Sequence, residues 1–399
     1  MRKIVTSGLL ALVALAVAGA NALPASAAPL GPGGQGTPIT AFIINGKISC
    51  GTPNSCLAIG DTVSKPGIQT QVVVAWNGTA WRSVAVPTPN PTVARINLAG
   101  VSCKTATFCL LVGGYLTLTG AGAERPYALA WNGKSLTPTA APPVPSNAGL
   151  AALTSASCIT NKSCFAVGDS RGGAGPLLME TWNGAKWALQ TASIPGGARS
   201  VYPGAVSCHF LTFCVIAGES YGSNPAVSAM FLAMWNTKAL ATMKPAVPAG
   251  AGNLTLNDVS CPSATFCAAA GFSSTRSGTG NFGFTQLWNG KSWAVDKLAP
   301  PKGGAELYGV SCRADNSCVA VGSAGQSGAT KATAVAYNGK TWAAQSVPGP
   351  GAGTSSEFLG VNCLQAGQCN AIGATIAARP TTVTPLGGVW NGSWRLVAA

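Results

Sequence analysis

The 14 cysteines fall in seven pairs, and every pair has the spacing C-x5-C: Cys50 and Cys56, Cys103 and Cys109, Cys158 and Cys164, Cys208 and Cys214, Cys261 and Cys267, Cys312 and Cys318, Cys363 and Cys369. Consecutive first cysteines stand 50 to 55 residues apart. A fixed period of that size marks a solenoid or a propeller, in which one supersecondary unit recurs and neighbours bury a shared core. Long helical bundles are excluded, because 51 glycines and 27 prolines punctuate the 399 residues. Disorder is excluded by the 47% apolar content.

Each repeat carries more than its cysteines. A Val-Ser step precedes the first cysteine in Val101-Ser102, Val206-Ser207, Val259-Ser260 and Val310-Ser311. Small and β-branched residues ending in Gly follow the second, as in Phe165-Ala166-Val167-Gly168. A variable stretch leads to W-N-G-x-x-W, as in Trp76-Asn77-Gly78 with Trp81, and all 11 tryptophans belong to this motif. Leu136 and Leu240 replace its second Trp, Tyr337 its first and Thr237 its Gly. One repeat therefore reads as four short strands, a to d. Strand a ends at the first Cys, b starts near the second, c runs into Asn-Gly and d begins at the second Trp. Asn-Gly between apolar runs predicts a type I′ hairpin, with positive φ at both central residues. Pro-rich links such as 87–91 and 142–145 join the repeats, since Pro cannot pair as a central strand.

This arithmetic predicts an all-β, seven-bladed β-propeller of four-stranded blades. The blades are placed at 42–90, 91–146, 147–197, 198–248, 249–299, 300–349 and 350–399. They follow a secretory signal peptide at 1–27, with a basic start at Arg2 and Lys3, an apolar stretch over 9–17 and Ala25-Ser26-Ala27 before the cut. An N-terminal segment, 28–41, comes next. The mature chain has no run of ~18 to 20 apolar residues, so no transmembrane span is expected. Repeat one has its own strand a and repeat seven its own strand d. Ring closure then rests on blade packing alone or on an outer strand from 37–41.

In an exported chain paired cysteines form disulfides. The expected bridges are Cys50–Cys56, Cys103–Cys109, Cys158–Cys164, Cys208–Cys214, Cys261–Cys267, Cys312–Cys318 and Cys363–Cys369. Zinc prefers C-x2-4-C spacing and often histidine, and His209 is the single histidine here, so no metal and no cofactor is expected. A Trp that recurs once per repeat is expected to pack one blade on the next rather than to present a sugar platform.

With S-C-x5-C-x-A-V-G and W-N-G-x-x-W units over 42–399, the chain resembles secreted repeat proteins of high-GC actinobacteria. The resemblance implies a secreted, seven-bladed propeller and assigns no activity. A fainter likeness to the Asp-box repeats of sialidase-type propellers covers only Gly-x-x-Trp, and an aromatic stands where that motif has its aspartate. No sialidase catalytic residue is carried over.

In an antiparallel four-stranded blade the a–b and c–d turns share one face of the disc, and the b–c loops and d–a links share the other. The divergent segments thus gather on the second face, and variable loops on a rigid scaffold are where binding residues concentrate. Candidate binding residues there are Asp61 and Lys65; Tyr115 and Arg125; Asp169 and Arg171; Glu219 and Tyr221; Phe272, Arg276 and Phe282; and Arg379. Asp61, Asp169 and Glu219 directly follow the Gly that ends strand b, and a carboxylate pair is what glycoside hydrolysis needs. They are the candidate catalytic residues, and every other acidic residue stands isolated in the sequence. The 24 Lys and Arg against 10 Asp and Glu form no run, so no nucleic-acid partner is expected. The expected function is a secreted or cell-surface binding or scaffolding propeller, a monomer that engages a glycan, cell-wall polymer or protein. The alternative is a carbohydrate-active hydrolase or lyase working on the same face.

Overall fold

The computed structural model describes residues 43–398 apart from 66–67, 91–92, 118–122, 146–147, 172–176, 195–197, 223–227, 277–279, 297–303, 326–329, 350, 352, 366 and 379–380. The expected signal peptide and the segment 28–41 lie outside the described residues. Strands follow one another in sets of four. Repeat one supplies a (Ile43–Thr52), b (Ser55–Lys65), c (Ile68–Trp76) and d (Trp81–Val84), paired antiparallel in that order. Repeat seven ends the chain in the same way, from Thr354–Gln365 to Trp394–Ala398. No helix of the described residues is long and apolar enough to cross a membrane.

The seven-bladed expectation needs correction. Five blades are separate four-stranded sheets, while repeats two and three share a single eight-stranded sheet. Strand c of repeat two (Glu124–Trp131) pairs in parallel with strand a of repeat three (Leu150–Thr160) through Glu124 and Leu150. The reason is local. Where other repeats place a side chain after the Gly of strand b, such as Asp61, Asp169 or Glu219, repeat two has Gly114. A Cβ on Gly114 would stand 2.9 Å from the Cβ of Ala152 in repeat three, so only glycine lets the two repeats approach this closely. Arg125 ties the same junction, its Nη1 donating to the carbonyls of Ala148 at 3.3 Å and Gly149 at 3.4 Å.

All seven cysteine pairs are bridged, with Cα atoms 3.8 to 4.1 Å apart. The chain-entropy contribution of so short a loop is roughly 2 kcal/mol each. The W-N-G turn differs from the expected type I′ geometry. Positive φ is found at the glycine alone, as at Gly78 (94°) and Gly290 (87°), and not at the asparagine. The asparagine instead accepts two main-chain N–H groups, Asn77 Oδ1 from Thr79 at 3.0 Å and Ala80 at 2.9 Å. The turn is thus a four-residue loop folded around an Asx motif.

Tryptophans pack between repeats. Trp182 and Trp187 of repeat three share a core with Leu110 and Val112 of repeat two, and Trp131 of repeat two packs with Leu57 and Ile59 of repeat one. Trp76 and Trp81 of repeat one meet Leu359 and Ile372 of repeat seven, which closes the ring. Truncating a buried Trp of this kind costs about 3–5 kcal/mol. The Val-Ser step supplies the polar half of the joint. The hydroxyl of each serine accepts the main-chain N–H of the first cysteine in the next repeat: Ser102 from Cys158 at 2.9 Å, Ser157 from Cys208 at 3.0 Å, Ser207 from Cys261 at 2.9 Å. Asn362 stands in for serine in repeat seven, and its Oδ1 takes the N–H of Cys50 at 3.2 Å. Closure therefore uses packing and hydrogen bonds, with no strand shared between the first and last sheets among the described residues.

Candidate functional site

Every strand a breaks register at least once before its cysteine. The shift lies between Pro203 and Ala205 in repeat four, Leu256 and Asp258 in repeat five, and Leu307 and Gly309 in repeat six. A bulge re-aims the side chain of its extra residue. Asn257 reaches the next repeat, its Nδ2 donating to the Leu307 carbonyl at 2.7 Å. Thr154 likewise donates to the Pro203 carbonyl at 2.5 Å.

Inside the ring the strands a enclose a polar channel of about 160 Å³, lined by Lys47, Asp258 and serines that include Ser49, Ser102 and Ser155. Asp258 accepts the N–H groups of Val259 and Val310, each at 2.9 Å. Burial raises its carboxyl above the ordinary range, against the Lys47 charge and those two bonds. Lys47 crosses the channel, its Nζ donating to the Gly204 carbonyl at 3.1 Å.

At the channel mouth on the b–c face stand two tyrosine–carboxylate pairs. Tyr221 donates to Glu219 Oε2 at 2.7 Å, and Thr255 of repeat five donates to Glu219 Oε1 at 3.2 Å. Tyr308 donates to Glu306 Oε2, and Asn281 Nδ2 donates to Glu306 Oε1. Burial and the neighbouring carboxylates push both phenols upward in pKa. Aromatic faces flank the pairs. Tyr202, 40% exposed, lies edge-on to Tyr221 at 5.7 Å, and Phe272 lies edge-on to Tyr308 at 6.3 Å. Glu357 of repeat seven completes the group, pushed up to about 7 by burial and then by the Glu306 charge. Glu306 and Glu357 are thus electrostatic partners, contrary to the expectation that acids beyond Asp61, Asp169 and Glu219 stand isolated.

Of the sequence candidates, Glu219, Tyr221 and Phe272 meet at this mouth. Tyr115 packs edge-on to Tyr127 at 5.9 Å, whose hydroxyl donates to the Pro87 carbonyl at 2.7 Å and is pushed up to about 12 by burial. Arg125 is occupied at the junction of repeats two and three. Asp61 and Asp169 lie near the ends of their strands b, paired across the ladder with Gln71 and Leu177. Phe282 pairs with Ser273, and Arg276 is exposed beyond strand b of repeat five. Lys65 and Arg171 end their strands, with side chains outside the described residues, as is the whole of Arg379. Sequence reasoning missed Glu306, Tyr308, Glu357 and Tyr202 by searching the loops. All but Tyr308 stand six residues before the first cysteine of their repeat, a readable signal because that position varies within an otherwise stereotyped strand.

Among the described residues no group of three or more His, Cys, Asp or Glu is placed to hold a metal ion. No protein-family model matches the chain, and no curated protein does. Among solved structures the chain is similar to the β-propeller domain of the Trilobed protease from Pyrococcus furiosus, at 8% identity over 90% of this chain and 99% of that one, with a TM-score of 0.52. It also matches YCF48 bound to D1 peptide, at 13% identity over 85% and 92% with a TM-score of 0.47. The six-bladed propeller lectin of Aleuria aurantia matches at 10% identity over 90% and 95%, with a TM-score of 0.43. At these identities the likeness concerns fold alone. The chain is an all-β propeller built of disulfide-bridged repeats.

Proposed function

We propose that the chain is an exported binding module that takes a glycan at the channel mouth on the b–c face. The observation that supports this reading is the pairing of Tyr221 with Glu219 and Tyr308 with Glu306, beside the exposed ring of Tyr202. Oriented carboxylate oxygens accept sugar hydroxyls, and an aromatic face covers the C–H side of the ring. Seven disulfides suit an oxidising compartment. The test is retention on immobilised glycans and isolated cell walls. Tyr202→Ala and Glu219→Gln should each weaken retention at least about tenfold, the loss of one good contact of ~1.4 kcal/mol. Absence of retention above background at low salt overturns the proposal.

A second reading rests on Glu357. A carboxyl pushed up to about 7 by burial, with a second carboxyl beside it, suits the general acid of glycoside hydrolysis. In a hydrolase, Glu357→Gln abolishes product release and leaves retention in place. In a pure binder no product forms from either protein.

A further inference from the structure

The cations that look scattered along the chain are sorted by the fold. Lys134, Lys186, Lys238, Lys291 and Lys340 lie in the c–d turns of repeats two to six, and Lys104, Lys162 and Arg313 lie between paired cysteines. All eight are exposed. Against them these turns hold a single acid, Asp315. The antiparallel order brings both kinds of turn to one face, opposite the glycan mouth with its Glu219, Glu306 and Glu357.

The backbone also sets where the lysines start. In all five c–d turns the main-chain N–H of the lysine itself is held by the turn asparagine, from 2.8 Å at Lys186 to 3.0 Å at Lys238. The serine-to-cysteine bonds recur at one residue offset around the ring, so the repeats cannot slide along the channel axis and their turns end at one level. The outcome is an arc of positive charge at one level, spanning repeats two to six, rather than a stripe. One large apolar side chain breaks that level. Phe210, 56% exposed, projects from the Cys208–Cys214 loop with the His209 ring 4.2 Å behind it. An open cleft of about 430 Å³ between the cysteine loops of repeats two and three is flanked by Lys104 and Lys162.

From this we infer that the turn face is a docking surface for an anionic lipid bilayer, with phosphate headgroups against the arc of lysines and Phe210 entering the headgroup layer. A linear polyanion asks for cations along a line. A plane of charge with one protruding aromatic fits a planar partner. The inference is independent of the glycan reading, which concerns the opposite face.

Vesicle flotation of the full disulfide-bonded chain tests it. Vesicles of mixed phosphatidylglycerol and phosphatidylcholine should carry the protein, and pure phosphatidylcholine should not. Binding should vanish near 1 M salt, where charges are screened beyond ~3 Å. Each lysine near such a surface is worth about fivefold, so the triple variant Lys134→Glu, Lys186→Glu, Lys238→Glu should lose at least about 100-fold in partitioning. Phe210→Ser should weaken binding without changing its salt dependence. The control triple Arg199→Glu, Lys244→Glu, Lys331→Glu changes net charge equally on other surfaces and should lose far less. Thermal melts matching the parent confirm that the variants fold. Three results would each overturn the inference: equal binding to neutral vesicles, equal losses for the two triples, or soluble polyphosphate binding as tightly as vesicles with no effect of Phe210→Ser.

Discussion

The hydroxyl oxygen of Ser311 accepts the main-chain N–H of Cys363 at 2.9 Å, in a buried joint between repeats six and seven. Ser311→Ala leaves that donor without a partner, and an orphaned buried N–H costs about 1–3 kcal/mol. Urea unfolding should show a loss in this range. A midpoint equal to the parent's means that the joint does not depend on the serine.

Glu180 is 0% exposed, and neither carboxyl oxygen has a hydrogen-bond partner among the described residues. In repeat five the same position is Gln286, whose Oε1 accepts the N–H of Ala246 in the preceding link at 2.7 Å. The link before Glu180 has Pro142 and Pro143 there, neither with an N–H to give. Burial pushes the Glu180 carboxyl up to about 8. The folded state therefore keeps a proton that the unfolded chain releases near 4.5. Stability falls as pH rises from the unfolded to the folded value, by about 1.4 kcal/mol per unit, and levels off above. Glu357 adds to this fall only up to about pH 7. Glu180→Gln should flatten the stability profile between pH 7 and 8 in melts recorded across that range.

Thr237 holds φ at +73° where the other c–d turns have glycine. A β-branched residue in that region is strained. Thr237→Gly should raise stability by about 1 kcal/mol, offset in part by the greater freedom of the unfolded chain. A lowered melting temperature would mean that the bond from its hydroxyl to the Asn236 carbonyl outweighs the strain.

Gly114 is the point at which repeats two and three merge. Gly114→Asp restores the residue type found in repeats one and three, but its Cβ would meet Ala152 at 2.9 Å. The junction has to open, at about 1–3 kcal/mol. Amide exchange at Glu124 and Leu150 should quicken, while exchange in repeat five stays as it was.

Legibility followed the range of the interactions. Disulfides and hairpins join residues a few positions apart, so spacing and turn chemistry reveal them. The hairpin subtype was misread because Asn-Gly serves two turn families, and the Asx bonds of Asn77 select between them. The merged sheet depends on a missing side chain at Gly114 seen from the next repeat, which no periodicity displays. The mouth was half visible. Glu219 and Tyr221 sit where variable segments begin, but Glu306 and Glu357 sit inside strands that read as pure scaffold. The cationic face was hidden for the opposite reason: its lysines stand about 50 residues apart, and only the ring assembles them.

Each end of the chain keeps its own complete sheet, which gives the gap between Ala398 and Ile43 the same topological standing as most d–a links. The protein is in this sense a circle cut at an arbitrary seam. Circular permutants opened at the link after Thr242 or after Gln345, with Ala398 linked to Ile43, should preserve every strand pairing of the described residues. The link after Pro138 is the exception, because it tethers the two halves of one sheet. Order along the chain and order around the ring are separable here almost everywhere.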